Sequence, residues 1–96
     1  MARSIGAGIT PPVLIYKKEP EYSPEARKAK YQGTVRLDVE VDASGQVANV
    51  KLVRSLGLGL DEKAIEAVRQ WKFNPGMKDG KPVAVQTEVE VNFRLL

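Results

Sequence analysis

The chain contains no cysteine and no histidine in its 96 residues. Without cysteine there are no disulfides and no thiolate metal sites, and the redox compartment is left open. Without histidine, the commonest general base and metal ligand is lost in one stroke. Aromatic residues are sparse: one tryptophan, three tyrosines and two phenylalanines. No apolar run approaches the 18 or more residues of a membrane-spanning helix. Residues 1–12, MARSIGAGITPP, carry one arginine but no continuous apolar core, so no signal peptide is read there. A cytoplasmic protein and a domain cut from a longer chain both fit this pattern, and the second is the expectation. The remaining composition, 43% hydrophobic and 28% charged, suits one globular domain. A net charge of +3 tilts weakly toward anionic partners and falls far short of the dense basic patch of a nucleic-acid binder.

The chain is organised around residues 60–76, LDEKAIEAVRQWKFNPG. Leu60, Ala64, Ile65, Val68 and Trp71 recur at offsets of three and four, which places them on one helical face. Asp61 is positioned as the N-cap, and Glu62 suits the positive end of the helix dipole. Lys63, Glu66, Arg69 and Gln70 fall on the water side. Asn74-Pro75-Gly76 is expected to end the helix, since proline lacks the amide proton and restricts its predecessor.

Ahead of this helix, residues 1–12 read as a linker or an expression remnant. Val13-Leu14-Ile15-Tyr16 has strand composition, with Lys17-Lys18-Glu19-Pro20 blunting it as an edge. Ser23-Pro24-Glu25 is a helix start, with a capping hydroxyl, a proline at the first position and an acid in the first turn. A short helix from 24 to 31 follows, with Ala26, Ala29 and Tyr31 inward and Gly33 placed to end it. Residues 34–41 alternate strictly, Val35, Leu37, Val39 and Val41 against Arg36, Asp38 and Glu40. Asp42-Ala43-Ser44-Gly45 is a turn signal, and residues 47–53 return with Ala48, Val50 and Leu52 as the inner set.

The SLGLGL segment, residues 55–60, connects to the main helix, with Leu58 or Leu60 tucked beneath it. Residues 78–82 form another turn, and residues 83–95 alternate as one long strand. The order is (β)αββαβ: a two-layer α+β domain, with an antiparallel sheet of three to four strands and two helices on its apolar face.

Chemistry at the side chains is not evident. Ser23, Ser44 and Ser55 have no histidine to activate them and suit caps or turns. Asp38, Glu40, Glu88 and Glu90 could cluster as an acid pair or a hard-metal site, but Arg36, Lys51 and Arg94 are available to neutralise them. A cross-strand charge ladder is therefore expected, with no catalytic residue, no metal and no cofactor. Gly57-Leu58-Gly59 lacks the third glycine, the lysine and the preceding parallel strand of a phosphate loop. The polar sheet face carries no aromatics for base stacking, so no nucleic-acid partner is expected. What remains is a binding module whose exposed element is backbone. A long strand at a sheet edge is a template for strand addition by a partner peptide. Alternatively, the same strand is covered by residues 13–17 or by a second copy.

Residues 19–27 (EPEYSPEAR), 33–35 (GTV), 41–47 (VDASGQV), Leu60-Asp61, 67–76 (AVRQWKFNPG) and 89–93 (VEVNF) together resemble the C-terminal domain of TonB-family proteins. The resemblance runs from about residue 13 to the end, assigning 13–96 to that domain. It implies a non-enzymatic periplasmic domain at the end of an inner-membrane-anchored chain. Such a domain carries energy from the inner membrane to TonB-dependent outer-membrane transporters. It further implies that the transporter's TonB-box peptide adds as a strand to Glu88, Val89, Glu90, Val91, Asn92, Phe93 and Arg94. Glu19, Glu21 and Tyr22 stand where the family's Pro-x-Tyr segment approaches the partner.

Contact with the inner-membrane motor complex would belong to parts of the parent chain outside these residues, and a homodimer by strand pairing or exchange is a further implied state. Ser23 separates Tyr22 from Pro24 where many members have Tyr-Pro directly. Glu19 and Glu21 stand where well-studied members carry glutamines, so partner choice does not transfer. Trp71 and Phe73 fall on the buried face and read as core. The alternative function is a structural or dimerisation module at the end of another envelope protein, a sensor or peptidase.

Overall fold

The computed structural model describes residues 8–95. Its centre is a strand of strict alternation, β3, Gly33–Val41, in which Val35, Leu37, Val39 and Val41 are each 0–1% exposed. Full burial of one such side chain stabilises by about 1.5–3 kcal/mol. Two strands flank it. Val47–Arg54 and Val85–Phe93 both pair antiparallel with β3, so β3 is the middle strand of three. We label the first β4. The second is the last strand of the chain.

Two helices cover the apolar face. Pro24–Lys28 forms α1, with the Ser23 hydroxyl accepting from the Ala26 N–H at 3.2 Å. Ser23 also donates to the Leu58 carbonyl, so one buried serine joins the start of α1 to the loop ahead of the second helix. Leu60–Val68 forms α2, burying Leu60, Ala64, Ala67 and Val68. These residues join the inward side chains of the sheet, with Trp71 and Phe73, in a single core. The result is the two-layer α+β arrangement with both helices on one sheet face.

The remaining strands are short. Ile9–Thr10 (β1) and Val13–Tyr16 (β2) run antiparallel to Gly76–Lys78 (β6) and Lys72–Asn74 (β5) respectively. Lys81–Val83 (β7) returns on β6 through Asp79-Gly80, both at positive φ. The final strand, Val85–Phe93, is then β8. Residues 9 and 10 lie inside the stretch expected to be a linker, and residues 1–7 of that stretch lie outside the described residues.

Several local expectations are corrected. The main helix stops at Val68, not at Asn74, because three-residue bonds from the Gln70 and Trp71 N–H groups tighten its last turn. Phe73 can then donate to the Gly45 carbonyl at 2.9 Å, and Lys72–Asn74 becomes a strand. Gly59 in the left-handed region precedes α2, and Asp61 is not its N-cap. The first helix ends at Lys28, with Lys30 at φ 54, while Gly33 opens β3. Ala29 and Tyr31 are exposed.

In β4, irregular register after Val47 puts Val47 opposite Val41 and Val50 opposite Val39, so Val47 and Val50 pack on the core, while Ala48 and Leu52, both expected in the inner set, are exposed. Leu60 is the leucine buried under the helix, and Leu58 stays 45% exposed. The long C-terminal strand is broken at Ala84, because residues 81–83 turn back onto β6.

Candidate functional site

The longest uninterrupted pairing in the molecule runs along one side of β8, from Gly33 opposite Phe93 to Val41 opposite Val85. The other side of β8 has no strand against it among the described residues. β2, one of the two candidates to cover it, pairs with β5 instead. β8 is therefore an edge strand of nine residues, with unpaired main-chain donors and acceptors along its outer side.

Its side chains divide by face. Glu88, Glu90 and Asn92 are exposed, Val89 is half-buried, and Val91 and Phe93 are buried in the core. On the polar face Arg36 stands opposite Glu90, with Nη2 3.7 Å from its carboxylate, and Nε lies 3.2 Å from Glu88 Oε1. The Nε contact is a charge pair off line for a hydrogen bond, and Nε has no hydrogen-bond partner. The expected cross-strand ladder is present in part: Arg36 meets Glu88 and Glu90, whereas Asp38, Glu40, Lys51 and Arg94 form no ion pair among the described residues, and Asp38 stands opposite Glu88. No cluster of three or more carboxylates suited to a metal ion occurs among the described residues.

The far end of β8 is fastened by contacts that only register reveals. Thr34 donates to Asn92 Oδ1 at 2.7 Å, and the Leu95 N–H donates to Gln32 Oε1 at 2.7 Å. A cleft of about 470 Å³ opens there, lined by Gln32, Gly33, Thr34, Asn92, Phe93 and Arg94. Arg94 is exposed just beyond the strand. The polarity of Gln32 and Thr34 was visible in sequence, but nothing local signalled that they meet residues some 60 positions away.

Tyr22 is brought to this end. Its ring meets Phe93 edge-on, with centroids 5.5 Å apart and planes at 86°, and its hydroxyl donates to the Tyr31 carbonyl at 2.7 Å. Such an aromatic pair contributes about 0.5–1.5 kcal/mol beyond its buried area. Glu19 and Glu21 go elsewhere. Both are exposed, and they line a small crevice against Lys63 and Glu66 of α2 and Gln70 just beyond it, which contains no residue of β8. The ten candidate residues therefore divide into a continuous group, Tyr22 with 88–94, and a separate acidic pair.

The serines serve local structure. Ser44 donates from its N–H and hydroxyl to Asp42, whose carboxylate also accepts from the Gln46 N–H. The Ser44 hydroxyl, then the Gln46 N–H, hold the Asp42 carboxyl below the usual carboxylate range. Ser55 donates to Asp61, which also accepts from the N–H groups of Leu56 and Gly57. Partial burial alone would raise the Asp61 pKa, but these hydrogen bonds outweigh it and the net shift is downward.

The fold defines a class first: a two-layer α+β domain whose last strand has an unpaired outer edge among the described residues. The family profile described as Gram-negative bacterial TonB protein C-terminal matches residues 18–95, and the chain belongs to that family. It is 37% identical over 86 residues to Protein TonB of Vibrio cholerae, covering 88% of this chain and 35% of that protein. It is 44% identical over 77 residues to Protein TonB of Xanthomonas campestris pv. campestris, covering 79% of this chain and 34% of that protein. The chain thus spans about a third of the length of these relatives. The solution NMR structure of the Pseudomonas aeruginosa TonB CTD superposes with a TM-score of 0.69 at 21% identity, covering 97% of this chain and 93% of that one. The shared fold extends over nearly the whole domain.

Proposed function

We propose that this domain is the non-enzymatic, partner-binding end of a TonB-type energy transducer. It acts in the periplasm as the C-terminal part of a chain anchored in the inner membrane. There it takes the TonB-box peptide of an outer-membrane transporter as an added strand on β8. One observation carries this proposal: the outer edge of Val85–Phe93 is unpaired among the described residues, while its inner edge is paired along its full length. Membership of the family supports it independently.

Strand addition suits a site without distinctive side chains. Each main-chain hydrogen bond gained contributes a net 0.5–1.5 kcal/mol or so, and several in series suffice for specific association. Glu88 to Arg94 form the primary contact. Tyr22 acts by packing on Phe93 at the end of the strand. Glu19 and Glu21, beside α2, form a second and separate contact with the transporter.

The test is an NMR titration of the isotopically labelled domain with TonB-box peptides. Amide shifts concentrated in residues 88–94, with weaker ones at Tyr22, are expected. No shift with any peptide, together with outer-edge amides already protected from hydrogen exchange, would mean that a second copy occupies the edge. The domain would then be a dimerisation module.

A further inference from the structure

β1 and β2 run against β6 and β5 as one ribbon, interrupted only at Pro11-Pro12 and Pro75. Its outer strand carries side chains that the core does not use. Register shifts between Leu14, opposite buried Phe73, and Tyr16, opposite exposed Lys72, leaving Ile15 as the extra residue. A bulge re-aims side chains, and here Val13, Ile15 and Tyr16 are 58%, 59% and 51% exposed. Single exposed apolar residues need no explanation, but all four residues of β2, Leu14 included, are exposed and uncovered.

The patch is flanked mainly by cations, with Glu19 and Glu21 at its border beside Lys18. Residues 8–18 and 72–83 contain five lysines, Lys17, Lys18, Lys72, Lys78 and Lys81, against one acid, Asp79. None of the five is ion-paired among the described residues. Lys17 lies over the Trp71 ring at 5.7 Å, and Lys78 stands directly opposite Lys81. Like charges facing each other are unfavourable unless an anion relieves them.

We infer that this ribbon docks on the surface of a bilayer rich in anionic phospholipid. Val13, Ile15 and Tyr16 enter the interfacial layer, and Lys17, Lys18 and Lys72 meet the headgroups. A second copy of the chain is disfavoured because it would set one row of lysines against another. An acidic protein fits less well, because a stable protein interface engages about 20–30 residues a side. Aliphatic side chains, a tyrosine and flanking lysines with flexible stems are suited to the membrane–water boundary. The ribbon and β8 lie in different sheets, so peptide binding and membrane docking can be tested separately.

The experiment is co-sedimentation of the 96-residue chain with vesicles of phosphatidylcholine alone and of phosphatidylcholine with about a quarter phosphatidylglycerol. Binding to the anionic vesicles only, weakening as salt rises, is expected. Lys18→Gln and Lys72→Gln should each weaken it about fivefold. Ile15→Glu, at an exposed position, should leave the circular dichroism unchanged and weaken binding about tenfold or more. Equal binding to both vesicle types, or no binding to either, would overturn the inference. So would an Ile15→Glu variant that binds like the parent, since contact would then be charge alone. Sedimentation velocity showing a dimer abolished by Ile15→Glu would assign the patch to a second copy. In every arm the response of residues 88–94 to TonB-box peptide is measured as well, so failure of one proposal is distinguishable from failure of the other.

Discussion

Asp61 should matter more than its position on the first turn of a helix suggests. Its Oδ1 accepts the Leu56 N–H at 2.7 Å, its Oδ2 accepts the Ser55 hydroxyl at 2.5 Å, and the Gly57 N–H reaches both oxygens at 3.3–3.4 Å. Hydrogen bonds to a charged group contribute about 1.5–3 kcal/mol each, and bonds sharing one carboxylate do not add fully. Asp61→Ala should therefore cost about 2–4 kcal/mol, part of it from leaving the half-buried Leu56 N–H without an acceptor. Against a total of roughly 5–15 kcal/mol for a domain, that is a large fraction. Asp61→Asn keeps the shape but loses the charge and turns one acceptor into a donor, so it should fall between parent and alanine variant.

The same contacts fix the pH dependence. The folded-state pKa of Asp61 is depressed, so its stabilisation is complete above the unfolded-state value, near 3.9, and is lost as pH falls through the folded value. Asp42 has the same sign, through Ser44 and Gln46. Urea unfolding followed by circular dichroism, from pH 7 down to pH 3, should show stability falling with acid. The fall should be shallower in Asp61→Asn, with Asp42 supplying part of the remainder. An alanine variant within about 0.5 kcal/mol of the parent would refute this account, as would an asparagine variant that keeps the full acid slope.

Two further substitutions probe the core and the turn. Trp71 is 3% exposed, and its indole N–H donates to the Lys18 carbonyl at 2.9 Å, so Trp71→Ala should cost about 3–5 kcal/mol and lower Tm by at least about 12 °C. An unchanged melting temperature would place the ring outside the core. Gly45 adopts φ +87°, and a Cβ there would lie 1.9 Å from the Phe73 carbonyl oxygen. Gly45→Ala should therefore cost more than about 2 kcal/mol in urea unfolding, and a loss below about 1 kcal/mol would show that the hairpin turn does not seat on β5.

Much of the fold was legible because it is local. The alternation of Val35, Leu37, Val39 and Val41 is a period-two signal, and all four are buried. Ser23-Pro24 caps a helix, and Asp42 with Gly45 closes a hairpin, through contacts spanning four residues at most. The misplacements came where long-range contacts override local periodicity. Trp71 continues the spacing of α2, yet its indole is claimed by Lys18, 53 residues away, and Phe73 by Gly45. Proline at 75 looked like the helix stop, but the backbone had already left the helix to pair with β2. Asp61 looked like a cap for the helix after it and proved to hold the loop before it. A carboxylate can serve either side, and only the turn geometry of Gly57 to Gly59 decides which.

The candidate site divides along the same line. That residues 85–93 form a strand follows from their alternation, but that one side of the strand is open does not. It depends on where residues 13–16 go, and they pair with β5, with Leu14 standing opposite Phe73. The choice settles two surfaces at once. β8 keeps an open main-chain edge, and β2, held only along β5, is left with Val13, Ile15 and Tyr16 in solvent. Had β2 paired with β8, its apolar side chains could have joined the core face and the edge would have been closed. An open edge and an uncovered apolar strand are therefore two consequences of one pairing. The peptide and the bilayer proposed as partners are what these two exposed surfaces would be kept for.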